Sequence, residues 1–248
     1  MSIRLSLVML VGLTGVGKSH TIDELFNTEL SFTLLPNRRE LTDRVVIPEM
    51  QRAHGYKVKP VTDRLERFKY TRMYREAHPA GMVQALGQFL VDSLTINSFT
   101  LVFDNLRGFD EVKNAADRLA NTRFVVFDAP AIVRLQRLLR RRDSFDQVSS
   151  SNISSSDRRG AIEAVPGALD VFELDELLAI DLGRFNATLE SFINAVRIIV
   201  GEQQNYDHAA AKHYLEQTMS ADRLLVLDTT QISPQQAAAA IAAWVEQG

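Results

Sequence analysis

The 248-residue sequence predicts an α/β fold of three layers, a five-stranded parallel sheet with helices on both faces, and three observations carry that prediction. Five short apolar runs rich in Val, Leu and Phe, at residues 5–11, 31–35, 99–103, 123–127 and 224–227, have the near-continuous hydrophobicity of strands buried on both faces. Helix-like stretches follow at 21–27, 111–120, 132–142 and 235–245. Such strand and helix alternation is what a parallel sheet with right-handed crossovers requires. Third, the first run passes straight into Gly12-Leu13-Thr14-Gly15-Val16-Gly17-Lys18-Ser19, a complete G-x-x-x-x-G-K-S loop between strand and helix. Ligands of such a sheet belong at the carboxyl ends of its strands, where this loop lies.

The loop residues point to phosphate. Glycines let successive backbone N–H groups curl toward an anion, Lys18 adds a mobile cation for the β- and γ-phosphates, and the Ser19 hydroxyl can ligate Mg²⁺. A helix beginning near Gly17 would aim its positive end at the same phosphates. Gly12, Thr14, Gly15, Val16, Gly17, Lys18, Ser19 and His20 are therefore the expected contacts of a nucleoside triphosphate, with ATP and Mg²⁺ as the expected cofactors.

Composition narrows the remaining classes. The hydrophobic content of 46% suffices for a sizeable core, and the net charge of −3 argues against nucleic acid or a membrane surface held by bulk electrostatics. With no cysteine, disulfides, thiolate-bound zinc and thiol catalysis are excluded. Arg4 and the apolar run after it resemble a short signal segment, but the run ends in the loop with no small-residue cleavage site. No run reaches the roughly 18 apolar residues of a membrane span, so a cytoplasmic protein is expected.

Two stretches interrupt the alternation. Residues 38–88 are polar, basic and helix-prone, and residues 147–156 are Ser-rich without periodicity, which predicts a mobile surface segment. A long helical stretch at 170–202 and another at 209–218 precede the last strand. The expectation is one domain over 1–248, with an acceptor-binding insertion at 38–88 and a lid or helical insertion at 143–220.

Several charged residues stand where chemistry could use them. Asp104 ends the third strand beside the loop, where it could hold Mg²⁺ through water or accept a substrate hydrogen bond; capping the next turn is the simpler role. Asp128 reads more simply as a turn or cap, whereas the Asp228-Thr229-Thr230 corner is either a base-contacting loop or a simple Asx or Thr turn before the last helix. Arg134, Arg137 and Arg141 share a helix face, with Arg140 and Arg142 diverging from it. That cluster is either a solvated basic face or a lid that clamps a phosphoryl group, which Arg158 and Arg159 could join. Arg38, Arg39 and Arg44 follow the second strand, with Arg64, Arg67, Arg72 and Arg75 beyond, and bidentate arginine suits an acceptor that already carries phosphate. Some of these arginines must pair with Glu40, Asp43, Asp63, Glu66 and Glu76. His54, His78, His208 and His213 lack metal-ligand spacing.

With these residues in view, the chain resembles the P-loop kinases of the nucleoside monophosphate kinase type, such as adenylate kinase. Asp104-Asn105-Leu106-Arg107-Gly108 is similar to that family's D-G-F-P-R strand end, though tighter to its arginine and without the glycine. Arg137 and Arg141 match its R-x-x-x-R, and Asp128-Ala129-Pro130 and the last strand's Asp228 also look like it. The resemblance covers residues 1–145 and 220–248; the segment 38–88 matches no acceptor-site pattern, and 157–221 is longer and more helical than the family's lid. It implies a P-loop NTPase fold and transfer of the γ-phosphoryl of Mg-ATP to a nucleotide or other phosphorylated metabolite. Lys18, Arg137 and Arg141 would then stabilise the moving charge, Ser19 and Asp104 would manage the metal, and Arg38, Arg39, Arg44 or Arg107 would orient the acceptor, in a monomer or homodimer.

The other classes are an NTP-hydrolysing switch or motor and a nucleotide-binding regulator. A GTPase would carry an N/T-K-x-D motif, which is absent, and Asp104 to Gly108 is one residue too long for D-x-x-G. A mechanical ATPase would carry a second acid where Asn105 stands.

Overall fold

Burial along the first strand sets the architecture. A computed structural model describes residues 6–93, 100–119, 121–141 and 158–247. In β1 (Ser6–Val11), Val8, Met9, Leu10 and Val11 are inaccessible to solvent. Side chains alternate across a strand, so Val8 and Leu10 enter one core while Met9 and Val11 enter another on the opposite face. β1 is therefore central. The five strands, completed by β2 (Phe32–Leu34), β3 (Thr100–Leu106), β4 (Thr122–Asp128) and β5 (Leu224–Asp228), form one parallel sheet of order β2-β3-β1-β4-β5.

The predicted strands are all present. β3 runs past its apolar run because Asp104 still pairs with Leu10, and there the register slips: Leu10 faces Asp104 while Val11 faces Leu106. Asn105 is thus an extra residue in the ladder, and such a bulge bends the strand that holds it. It lies at the carboxyl edge, between Asp104 and Arg107.

On one face, Ile22 and Leu25 of α1 (Lys18–Leu25) pack with Ala237, Ala238, Ile241 and Val245 of α13 (Pro234–Glu246). A Ser233/Gln236 capping box with Pro234 in the first turn starts α13. At its far end, Arg123 from β4 donates to the carbonyls of Trp244 and Val245, at 2.6 and 2.9 Å.

The segment 38–88 covers the opposite face. An Asn37/Glu40 capping box opens α2 (Arg38–Leu41), a π-helical turn (Thr42–Val46) continues it, and α3 (Ile47–Ala53) follows. The widened turn lies just before Pro48, whose ring lacks an N–H and crowds the carbonyl four residues earlier. Leu41, Val46, Ile47 and Met50 join the core, with Tyr74 of α4 (Arg64–Ala77) and Leu86 of α5 (Met82–Ser93). Val112 of α6 (Phe109–Arg118) and Leu215 of α12 (His208–Thr218) complete that layer.

A third cluster unites α7 (Ala131–Arg140) with the segment that starts at α8 (Arg158–Glu163). The helical stretch expected at 170–202 is broken: α9 (Ala168–Val171), α10 (Leu174–Ala179), a 3₁₀ turn (Gly183–Phe185) and α11 (Leu189–Asn205) succeed one another. Phe172 and Ile180 leave the helical region to bury themselves in the cluster, and Asn186 turns left-handed at φ 50° before Thr188 caps α11. The Ser-rich stretch expected to be mobile, and Arg142, lie outside the described residues. Among the described residues no helix is long and apolar enough to cross a membrane.

The helix after β1 lies on one face and the helix after β3 on the other. Adjacent strands whose connections diverge open a crevice at their carboxyl ends.

Candidate active site

The glycine-rich loop fills that crevice. Gly12 N–H donates to Leu106 C=O at 3.0 Å, fastening the loop to the end of β3. Gly15 has φ +84°, and a Cβ there would stand 2.9 Å from the Arg134 carbonyl oxygen and 3.1 Å from Arg134 Cα. The loop thus lies directly against the first turn of α7. Gly17, at φ +102°, precedes α1 with no side-chain capping bond. The N–H groups of the first turn are left for another partner.

The loop lines a cavity of about 470 Å³ together with Asp104, Arg107, Arg137, Arg140, Arg141 and the corner after β5. His20 is also part of the lining. A cavity of this size suits a small-molecule ligand.

Lys18 is buried beneath the loop and donates to Gly12 C=O at 2.6 Å and Leu13 C=O at 3.2 Å. Burial pushes its ammonium down to about 8, while Asp104 works to raise it and Arg107 to lower it.

Arg137 donates to Gly15 C=O at 3.1 Å, Thr229 Oγ1 at 2.9 Å and Thr229 C=O at 2.6 Å, so it spans from the loop to the end of β5. Arg141 lines the same cavity but has left the helix, its backbone being extended at the end of α7. Arg140 lies 5.6 Å over the Phe185 ring.

Arg134, expected on the same cation-bearing face, is instead 3% exposed. Its Nε donates to Thr14 C=O at 2.8 Å and its Nη2 to Glu202 Oε2 at 2.8 Å. Arg158 is committed elsewhere, to the carbonyls of Leu177 and Ile180 at the end of α10, and Arg159 pairs with Glu163. The basic cluster therefore divides into a buried tie, a loop brace and two cavity residues.

A second cleft adjoins the first, bounded by Ile22, Asp23, Pro36, Glu40 and Arg44, and Ser19 and Asp104 line both. The expected acceptor arginines are not brought together there. Arg44 lines this cleft, 5.9 Å over the Phe89 ring, whereas Arg107 lines the first cavity. Arg38 makes a forked pair with Glu111 at 2.7 and 3.0 Å and lies over Tyr206; burial works against its charge, but Glu111 carries it above the usual guanidinium range. Arg39 is exposed and lines neither space. Arg67 pairs with Asp43, and His78 with Glu49.

The turn reading holds at Asp228 alone, since the Asp128 carboxylate forms an ion pair with Lys212 instead of capping a turn. Asp128 accepts from Lys212 Nζ at 2.6 Å, and Asp228 accepts from Thr230 N–H and Oγ1 at 2.9 and 2.6 Å. Ser19 and Asp104 offer one hydroxyl and one carboxylate, a hard oxygen donor set that fits Mg²⁺ with phosphate and water completing its six positions. Among the described residues no group of three or more Asp, Glu or His gathers as a metal site of its own.

Glu202 is the residue that sequence reasoning misses. It lies near the end of α11 with its side chain 8% exposed and accepts from Thr14 N–H, Thr14 Oγ1, Arg107 Nη1 and Arg134 Nη2. Its one sequence signal is an acid three residues past Ile199, on a helix face otherwise filled by Phe192, Val196 and Ile199.

No family model matches the sequence, and no curated protein matches it. Among solved structures, the chain is similar to the unliganded crystal structure of a sugar kinase from Janibacter sp. HTCC2649, at 15% identity and a TM-score of 0.36, over 99% of this chain and 95% of that one.

Proposed function

We propose that the chain is an ATP-dependent phosphotransferase of the P-loop kinase type, which moves the γ-phosphoryl of Mg-ATP to a small acceptor. The observation that carries this reading is the junction of two clefts at Ser19 and Asp104, one walled by the glycine-rich loop and the other open beside it. A donor in the first and an acceptor in the second would meet at that junction. A pure hydrolase needs room there only for water.

On this reading the loop N–H groups and Lys18 bind the β- and γ-phosphates, and Arg141 adds charge from the cavity wall. Arg137 holds the loop against β5 and presents its remaining positive field to the same cavity. Ser19 and Asp104 would hold Mg²⁺, which supplies charge neutralisation across the phosphates. A phosphorylated acceptor would meet Arg44 in the second cleft, and Arg107, which lines the first cavity with Asp104, would stand at the phosphoryl group in transit. Positioning and electrostatics supply most of the catalysis in such a transfer, so no covalent nucleophile of the protein is required.

Purified protein with Mg-ATP is expected to release ADP only when a correct acceptor is added, with the phosphorylated product visible by mass spectrometry. The panel contains nucleotides, sugars and metabolite phosphates. ADP release without an acceptor, and without any phosphorylated product across that panel, refutes phosphotransfer.

Binding should also depend on pH through Lys18. Its ammonium loses a proton near pH 8 in the free protein, and phosphate favours the charged form, so the bound pKa lies higher. ATP affinity is then flat below about pH 7, halves by about pH 8 and is about tenfold weaker by about pH 9. Titration calorimetry measures this, and Lys18→Arg, which does not titrate there, should flatten the profile.

A further inference from the structure

We propose that Glu202 is a positioning residue for the donor's terminal phosphate, acting through Arg107 and the Thr14 turn of the loop. The proposal rests on the reading of the loop as a nucleotide site. A carboxylate buried beside a polyphosphate site works against its ligand unless it is neutralised and holds something in place. Glu202 meets both conditions. One oxygen takes Arg107 Nη1 at 2.6 Å and Thr14 Oγ1 at 2.6 Å; the other takes Thr14 N–H at 2.9 Å and Arg134 Nη2 at 2.8 Å.

The geometry assigns the influence to one end of the nucleotide. Arg107 follows Asp104, and Asp104 marks the junction of the two clefts, where the phosphoryl group in transit would lie. Glu202 holds Arg107 from one side, and the ring of Tyr206, four residues on, lies 5.6 Å from its guanidinium carbon on another. Glu202 makes no hydrogen bond to Lys18 or to the first turn of α1, whose N–H groups serve the inner phosphate, and reaches Lys18 only through its field. α11 is itself fixed by Phe192, Ile193, Val196 and Ile199 in the third core, so the carboxylate is presented from a rigid element.

The test compares ADP with a non-hydrolysable ATP analogue by calorimetry on the full chain. Glu202→Gln keeps the shape but loses the charge that orients Arg107. Affinity for the ATP analogue should fall roughly 10- to 100-fold, the worth of one charge-assisted hydrogen bond, while ADP affinity stays within about threefold. Arg107→Met should show the same selective loss, and the double variant should be no weaker than Arg107→Met alone, because the two act as one unit. Parallel losses for both nucleotides, no loss for either, or additive effects in the double variant overturn the role. Wild-type protein that binds neither nucleotide overturns the nucleotide reading itself, and this role with it.

Discussion

Lys18→Met is expected to cut phosphoryl transfer roughly 10²- to 10³-fold while leaving the protein as stable as the wild type. The two effects separate because the lysine is held for its charge at a cost to the fold. Burial takes its ammonium from 10.5 down to about 8, a penalty of about 3 kcal/mol for keeping that proton inside. Methionine removes the penalty but also removes the donor to the Gly12 and Leu13 carbonyls, which costs about 1–3 kcal/mol if they stay dry. These terms nearly cancel, so unfolding free energies from denaturant titration should agree within about 1 kcal/mol. Full activity in Lys18→Met, or a fold weakened by several kcal/mol, would show that the lysine is a structural strut.

Arg134→Met should do the opposite and destabilise the whole protein by about 3–5 kcal/mol, the usual consequence of removing one partner of a buried ion pair. Arg134 is 3% exposed, and it binds Glu202 and the Thr14 carbonyl together. Its loss leaves the carboxylate with Arg107, which water partly reaches, and removes the donor to the Thr14 carbonyl that ties the loop to α7. A melting temperature lower by roughly 6–20 °C is the expected reading for a chain of this length. Adding Glu202→Leu should restore part of that loss, because the stranded charge is then gone. An unchanged melting curve in the single variant would mean that the pair contributes nothing to the fold.

How much was legible in advance follows from the range of the interactions. The five strands announce themselves through local apolar runs, and the loop through eight consecutive residues in a strand-to-helix context. Asp104 is legible for the same reason, as the polar end of an apolar strand. Arg134, Arg137 and Arg141 look alike in the sequence because helical spacing gives them one face. Their surroundings separate them, since α7 packs between the loop and α11, so that one is buried, one braces backbone and one leaves the helix. Arg38 reads as a phosphate ligand until Glu111, 73 residues on, comes beside it. Glu202 meets Thr14 across 188 residues, and no short-range pattern announces such a pairing. The breaks in the stretch 170–202 are equally hidden, because Phe172 and Ile180 leave helical geometry only to reach a core formed by other segments.

The grip of Glu202 and Thr229 on the loop bears on synthesis as well as on binding. A nascent chain that has made β1 and the loop carries every residue of the phosphate motif, but the carboxylate that orients Arg107 and the corner that anchors Arg137 come some two hundred residues later. Closing contacts so far apart in the chain are slow to form and come late in folding. Nucleotide would therefore favour only the finished molecule over its partly folded forms, by mass action on the native state. Protection from a protease by ATP would then serve as a report that the last third of the chain has docked.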